Sequence, residues 1–526
     1  MKRRQFLQNT IPAAILPSLV DGFSVKVLGD NPIMSALLNT YVETDRVMVI
    51  IQLNGGNDGL NMVIPLDQYS NYFNARSNIA IAQNRVLALT GTSAVGLHPS
   101  MTGLQSLYNN GKLRLVQAVG YPNPNFSHFR ATDIWMSASN SNQELNSGWS
   151  GRYLNDQYPN YPVGYPNNSM PDPLGIQIGS TTSLTFQGPS VNMGISITSA
   201  TNFYNLINGI QDPAPNTPAG DALKYVRLVA TQSNLYATRI VAAANAVPTQ
   251  GTYPTNNTLA DQLKIVARLV KGGLKTRVYM VSMGGFDTHS LQTNTDTSTG
   301  NHATLMQRLS DAIKAFQDDL QGLGVADRVM GMTFSEFGRR VKSNASIGTD
   351  HGAAAPLFVF GNKVNPGITG VNPTIPANAT VNDNIPMQYD FRSVYSTLLQ
   401  NWFCVDNTTL QTIMLQNFQQ LELCANGTCL NPTGVNNVNN SGISLISNYP
   451  NPFTQTTTIS FTTQGGHTLV QIIDALGRVL KTPVDREYAA GTYQISFDSY
   501  ALPTGVYYMR LQNESVQQVK PMLKVR

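Results

Sequence analysis

The stretch Arg328–Gly361, RVMGMTFSEFGRRVKSNASIGTDHGAAAPLFVFG, decides how the chain is read. An unbroken apolar run ends abruptly at Ser335-Glu336. A polar loop follows, carrying Glu336, Arg339, Asp350 and His351, and a second apolar run closes the segment. Continuous apolar runs without alternation mark strands covered on both faces of a parallel sheet. In such sheets ligands bind outside the carboxyl ends of the strands. The loop therefore stands where a site is expected, and it holds a Glu, an Asp and a His.

Working outward, the same pattern recurs. Arg46–Leu53 (RVMVIIQL) is apolar throughout and ends in NGGNDGLN, with Asp58, where glycines allow a tight turn and close backbone approach. Leu113–Val119 is a second strand, followed by a Pro/Asn loop into a helix starting at Ser127-His128. Arg277–Met283 is a third, ending in GGFDTH with Asp287 and His289. Helical stripes lie between them: Met101, Leu104 and Leu107; Leu259, Leu263, Val266 and Val270; Leu305, Leu309, Ile313, Phe316 and Leu320. Phe391–Phe403 reads as a late helix. Strand–helix–strand alternation predicts an α/β fold with a doubly wound, mostly parallel sheet. The Asn/Pro/Ser/Thr-rich region 150–255 reads as an irregular insertion.

Parallel strands bring their carboxyl ends to one edge, so four polar clusters converge there. They hold Asp58, then Ser127 and His128, then Asp287 and His289, and last the loop with Glu336, Asp350 and His351. Carboxylate with imidazole suits Zn²⁺, Mn²⁺ or Ca²⁺ more than a thiolate redox centre. A hydroxyl beside a divalent ion becomes a nucleophile, and a helix N-terminus stabilises an anion. Each group also has a structural reading: Asp58 as a turn residue, Ser127 as an N-cap, Glu336 with Arg339 as an ion pair. His98 and His302 read as structural, with His302 a lesser candidate ligand, and His467 falls outside the site.

The composition of the 526 residues sets the bounds: 41% hydrophobic, 12% charged, and a net charge of +4 from 34 basic and 30 acidic residues. That balance, with no Lys/Arg-rich run, excludes nucleic acid as a partner, and no apolar stretch is long enough for a transmembrane helix. Lys2, Arg3 and Arg4 before a modest apolar segment predict an export signal over residues 1–30, of twin-arginine type. Three cysteines occur: Cys424 and Cys429 flank a turn-like tetrapeptide and are expected to pair, and Cys404 is expected to be a buried thiol. Composition shifts near 431. Residues 431–444 read as a linker, and 445–526 carry period-two segments typical of a small antiparallel β-sandwich.

GGNDGLN, SHFRATDIW, GWSGRYL, GGFDTH, SEFGRR and GTDHG together resemble an exported bacterial family called domain of unknown function 1501, over about Val47 to Val405. That family is in turn similar to the alkaline phosphatase and sulfatase superfamily, which implies metals at the strand ends of a doubly wound core spanning 31–430. The resemblance implies Asp58 as the first acidic ligand, Ser127 as nucleophile, and Asp287 with His289 as a later pair. Glu336 stands where an Asp-His pair begins, with Phe337 in place of the His, and His351 fits the last ligand. A second register equates Asp350-His351 with that pair. Either register lacks one ligand of a two-metal set, so the implied site is one-metal or degenerate. NYPNPF, TTTISFTT, IIDALGRVL and LPTGVYYMRL resemble the type A sorting domain of the type IX secretion system, which implies that machinery as a partner and a surface-attached or released protein.

The reading that results is a secreted or cell-surface metal-dependent hydrolase of phosphate or sulfate esters. Ser127, His128 and Arg339 would serve the reaction and the anion, and Asp58, Asp287, His289, Glu336, Asp350 and His351 the metal. The alternative is a noncatalytic surface protein that binds glycan or another envelope component with a degenerate site.

Overall fold

The computed structural model describes residues 45–200, 217–425, 429, 444–451, 453–474, 478–513 and 516–525. The export signal expected at 1–30 and all but the last residue of the linker lie outside the described residues. The chain divides into two compact units, with the boundary in sequence between Leu430 and Asn431.

The first unit is built on a nine-stranded sheet. Its strands are β1 (Val47–Leu53), β2 (Leu113–Gly120), β3 (Gly175–Ile178), β4 (Gly194–Ile197), β5 (Val278–Met283), β6 (Val329–Phe334), β7 (Ala355–Phe360), β8 (Gly367–Thr369) and β9 (Tyr389–Asp390). The order is β8-β2-β7-β6-β1-β5-β3-β4, with β9 also on β2. β1 is central and wholly buried, parallel to both β5 and β6. Leu53 pairs with Met283, and Gln52 with Phe334, so the three strands end level.

Among these strands β7 alone runs against the rest, antiparallel to β2 and β6. Its first residue, Ala355, sits beside Val119 at the end of β2. The long loop from β6 to β7 therefore leaves and returns at the same edge, which places both Glu336 and His351 there.

Helices cover both faces. Alternate residues of β1 (Val47, Val49, Ile51) join one apolar cluster, built with α1 (Thr102–Asn109), α5 (Thr258–Lys271) and α6 (Asn301–Gly322). Met48 and Ile50 join the other, with α2 (His128–Ser137), α3 (Trp149–Gln157) and α7 (Phe391–Asn401). A strand that buries side chains on both faces cannot alternate apolar with polar, which is why β1 reads as a solid apolar run.

The region 150–255 is more regular than its composition suggests. It supplies β3 and β4, and α4 (Pro218–Asn245), a 28-residue helix. Ile240, Ala243 and Ala244 of α4 are buried in the core. Small alanines give the helix propensity without the bulky stripe that a hydrophobic pattern needs.

The cysteines also pair differently from the expectation. Cys404 and Cys429 form the disulfide, and Cys424 is free and buried. Cys424 bridges by its backbone to Val364 and turns its sulfur to Met330 Sδ, 3.9 Å away. It is thereby withdrawn from its near neighbour in sequence, and burial pushes its thiol up to about 12.

The second unit is a five-stranded antiparallel sheet of β10 (Ser444–Tyr449), β11 (Thr456–Ile473), β12 (Val479–Asp498), β13 (Gly505–Asn513) and β14 (Val516–Lys524). β11 pairs β10 along its first half, β13 along its second, and β12 along nearly all its length. TTISFTT and TLVQIID are thus one strand, which passes through Gly465 and Gly466, both at positive φ. Phe461 and Val470, from either side of those glycines, share one buried core.

Peptide mapping without reduction is expected to recover Cys404 linked to Cys429, with Cys424 alkylated only after denaturation. Cys404→Ser should cost about 3 kcal/mol of stability, the closure entropy expected for a loop of 25 residues. A Cys424–Cys429 linkage would contradict this pairing.

Candidate metal centre at the strand ends

The GGND turn after β1 serves the site through its first glycine. Gly55 has φ +123, and a Cβ there would lie 2.3 Å from the Asp287 backbone nitrogen. The turn after β5 thus packs directly on it, and Gly55 N donates to Glu336 Oε1 at 2.8 Å.

Asp58 of the same motif turns elsewhere. It is 1% exposed and takes Arg76 Nη1 on both oxygens, at 2.7 and 2.8 Å, and Gln292 on one. Burial pushes its carboxyl up, but Arg76 beside it outweighs that and holds it below the usual value. Asp58, expected as the first acidic ligand, thus has its charge already matched inside the fold, where an unpaired carboxylate could not stay ionised.

Arg339 is likewise committed. It is 2% exposed, and its nitrogens donate to the carbonyls of Gly55, Gly56, Thr349 and Phe286 and to Asp287 Oδ1. All three nitrogens are engaged and the guanidinium is buried among these loops, where it acts as a brace between them.

Asp287 is the centre of what remains. Its side chain is 47% exposed and faces three imidazoles. His128 Nε2 lies 3.5 Å from Oδ2; His289 Nε2 and His351 Nε2 lie 3.2 and 3.4 Å from Oδ1. The two imidazole nitrogens of His289 and His351 are 2.9 Å apart. His128, Asp287 and His351 each offer a ligand atom within 4.8 Å of the others.

The far nitrogen of each ring meets an oxygen: His128 Nδ1 faces Glu336 Oε1 at 2.8 Å, His289 Nδ1 faces Asp350 Oδ1 at 3.2 Å, and His351 Nδ1 faces the Phe126 carbonyl at 2.7 Å. A carbonyl or carboxylate only accepts. Asp287 also only accepts, and it competes for the same hydrogen from the Nε2 side; a neutral ring with its hydrogen on Nδ1 leaves an Nε2 lone pair for a cation. Burial pushes His351 below the ordinary imidazole value, which favours its neutral form. Burial raises Asp287, but the Arg339 hydrogen bond and charge outweigh it and leave the carboxyl low. Asp350 is also held low, first by its hydrogen bond from Asn344. Among these groups His128, Asp287 and His351 stand close enough together to hold a metal ion, with an oxygen behind each ring.

Ser127 occupies the N-cap of α2, next to His128, and makes no side-chain cap hydrogen bond. Its exposed hydroxyl is left for other use. A cleft of about 440 Å³ opens between Tyr121–Pro124, Ala353-Ala354 and Ile385–Met387; neither Ser127 nor any residue of the cluster lines it, though its walls adjoin both segments in sequence. His98 and His302 lie elsewhere, with rings 5.9 Å apart, and both are buried. His302 Nε2 faces Asn57 Oδ1 at 3.2 Å, and its Nδ1 has no partner among the described residues.

Sequence reasoning overlooked Phe126, whose backbone carbonyl lies 2.7 Å from His351 Nδ1; no side-chain pattern could signal it.

The family described as "Protein of unknown function (DUF1501)" matches residues 45–412, and a secretion system C-terminal sorting domain matches residues 447–524. No curated protein matches the chain. Among solved structures, the chain is similar to a protein in the alkaline phosphatase superfamily from Vibrio parahaemolyticus, at 11% identity and TM-score 0.33, covering 100% of this chain and 92% of that one. It is also similar to the PsFucS1 sulfatase from Pseudoalteromonas sp., at 10% identity and TM-score 0.33, covering 89% and 86%. The sorting domain implies type IX secretion to the cell surface or the medium, and among the described residues no helix is long and apolar enough to cross a membrane.

Two outcomes are expected. Asp58→Asn should lower stability by about 3 kcal/mol or more while leaving bound metal unchanged; loss of metal would return Asp58 to the ligand set. Burial holds His98 at about 3 and His302 at about 4, whereas unfolded rings titrate near 6.5. The stability they contribute is whole above about pH 6.5 and is lost as pH falls toward 4 and 3. His302→Gln should flatten that acid limb in urea unfolding, and an unaltered limb would count against it.

Proposed function

This chain belongs to the DUF1501 family, and we propose that its core is a metal-dependent hydrolase of phosphate or sulfate esters that works outside the cell. The observation that carries this reading is the convergence of the Nε2 atoms of His128, His289 and His351 on Asp287, each ring held from behind by an oxygen. Those four residues are the ligands. Glu336 and Asp350 act one step back, fixing His128 and His289.

The donor set is rich in imidazole, which favours Zn²⁺ or Mn²⁺ over Ca²⁺, an ion that prefers all-oxygen shells. Such an ion supplies Lewis acidity and activates a bound hydroxyl. The chain's own groups do the rest. Ser127 offers a hydroxyl at the N-terminus of α2, where backbone N–H groups and the helix dipole favour negative charge. The neighbouring cleft has the volume of a small-molecule site and accepts the organic part of an ester.

Plasma mass spectrometry of the purified full chain is expected to find Zn or Mn, lost in His351→Ala and Asp287→Asn. Glu336→Gln should keep the fold and weaken metal affinity about 10–100-fold. Ser127→Ala should keep the metal and abolish turnover of aryl phosphate and sulfate esters. Metal without turnover would favour the envelope-binding alternative, and absence of metal after loading with several ions would overturn the reading.

A further inference from the structure

We propose that Arg340 receives the charged end of the substrate, as the binding group for a tetrahedral oxyanion at this site. The proposal rests on the metal-centre reading above and goes beyond it by naming the residue that selects an anionic substrate.

An anion approaching the cluster meets the carboxylates of Asp287, Glu336 and Asp350. A divalent ion offsets part of that charge, and a phosphate or sulfate ester calls for a further cation. The arginines around these loops are mostly spent. Arg339 is committed to four carbonyls and Asp287, and Arg76 to Asp58 and the carbonyls of Arg340 and Val341. Arg130 donates to the carbonyls of Asn140, Ser141 and Gln143.

Arg340 differs. It is partly exposed, and only its Nε is used, in a hydrogen bond of 3.0 Å to the carbonyl of His351. Its guanidinium lies over the Phe126 ring, 5.6 Å from the centroid. Phe126 is the residue before Ser127, and its carbonyl holds His351. The backbone adds a further tie, Arg340 N to Asp350 O at 3.0 Å.

The guanidinium is thus oriented on two sides by the segments that carry the nucleophile candidate and a ligand. Its terminal nitrogens make no hydrogen bond or ion pair among the described residues, and its charge contributes, after Asn344 and His289, to holding Asp350 low. Their N–H groups form the planar fork that binds tetrahedral oxyanions bidentately. Fixing a long side chain by its Nε and by a ring face beforehand lowers the entropy lost on binding.

Isothermal titration calorimetry of inorganic phosphate, and separately of sulfate, into the metal-loaded full chain tests the proposal. Arg340→Gln should lose affinity for the preferred anion about tenfold to a hundredfold, with metal content and melting temperature unchanged. Arg340→Lys should recover part of it, since an ammonium keeps the charge but not the fork. Which of the two anions shows the loss assigns the ester class. Unchanged anion affinity in Arg340→Gln with metal retained would overturn the Arg340 assignment and leave the metal centre standing. Wild type that takes up neither metal nor anion would overturn both.

Discussion

One buried guanidinium holds the working edge of the sheet together. Arg339 reaches carbonyls in the turn after β1 (Gly55, Gly56), the turn after β5 (Phe286) and its own loop (Thr349), and ends on Asp287. A buried arginine is tolerated only when its N–H groups and its charge are both answered. Here the answers come from three loops, which backbone bonds from Phe286 to Asn54 and from Thr349 to Thr288 also join. Because they meet on one rigid plane, Asp287 stays in place although nearly half its surface is open. The backbone bridge between Arg339 and His351 puts the last imidazole on the same strap. The cluster inherits its geometry from this contact more than from any ligand.

Much of this architecture was legible in the sequence, because burial on both faces writes itself as unbroken apolar runs, and β1, β5 and β6 are such runs. The direction of β7 was not read, although a signal existed. A parallel crossover needs a dozen or more residues, usually a helix, and the loop from Glu336 to His351 has no helical stripe. The polar clusters at the strand ends were equally visible, since polar residues after a buried run have few structural reasons to be there. What stayed hidden was which member of each cluster faces inward. In GGND the carboxylate drew attention, yet the glycine touches the site. The partner that claims Asp58, Arg76, lies on a short helix with little apolar patterning, and nothing local links the two.

The same limit explains the cysteines. Spacing favoured Cys424 with Cys429, but spacing measures only chain length. The Cys424 backbone bridges to Val364, which sends its side chain into the core. Cys404 sits just beyond α7 in a left-handed conformation, φ 60, and meets Cys429 instead. Arg46, at the threshold of β1, donates to the carbonyl of Trp402 and contacts both sulfurs of the bridge. The disulfide therefore fastens the last residues of the core to its first strand.

These two fastenings bear differently on export. A disulfide persists only in an oxidising compartment, so the clamp at Cys404–Cys429 belongs to the chain outside the cytoplasm, whatever route brings it there. The cluster around Asp287 imposes no such order. Its supports, Arg339 and Glu336, are sealed, while Asp287 and His289 remain open, with side chains 47% and 44% exposed. Those side chains are reachable from solvent in the folded core without any element opening. Rigid supports behind open side chains keep the cluster accessible once the core is folded, whichever side of the membrane it folds on.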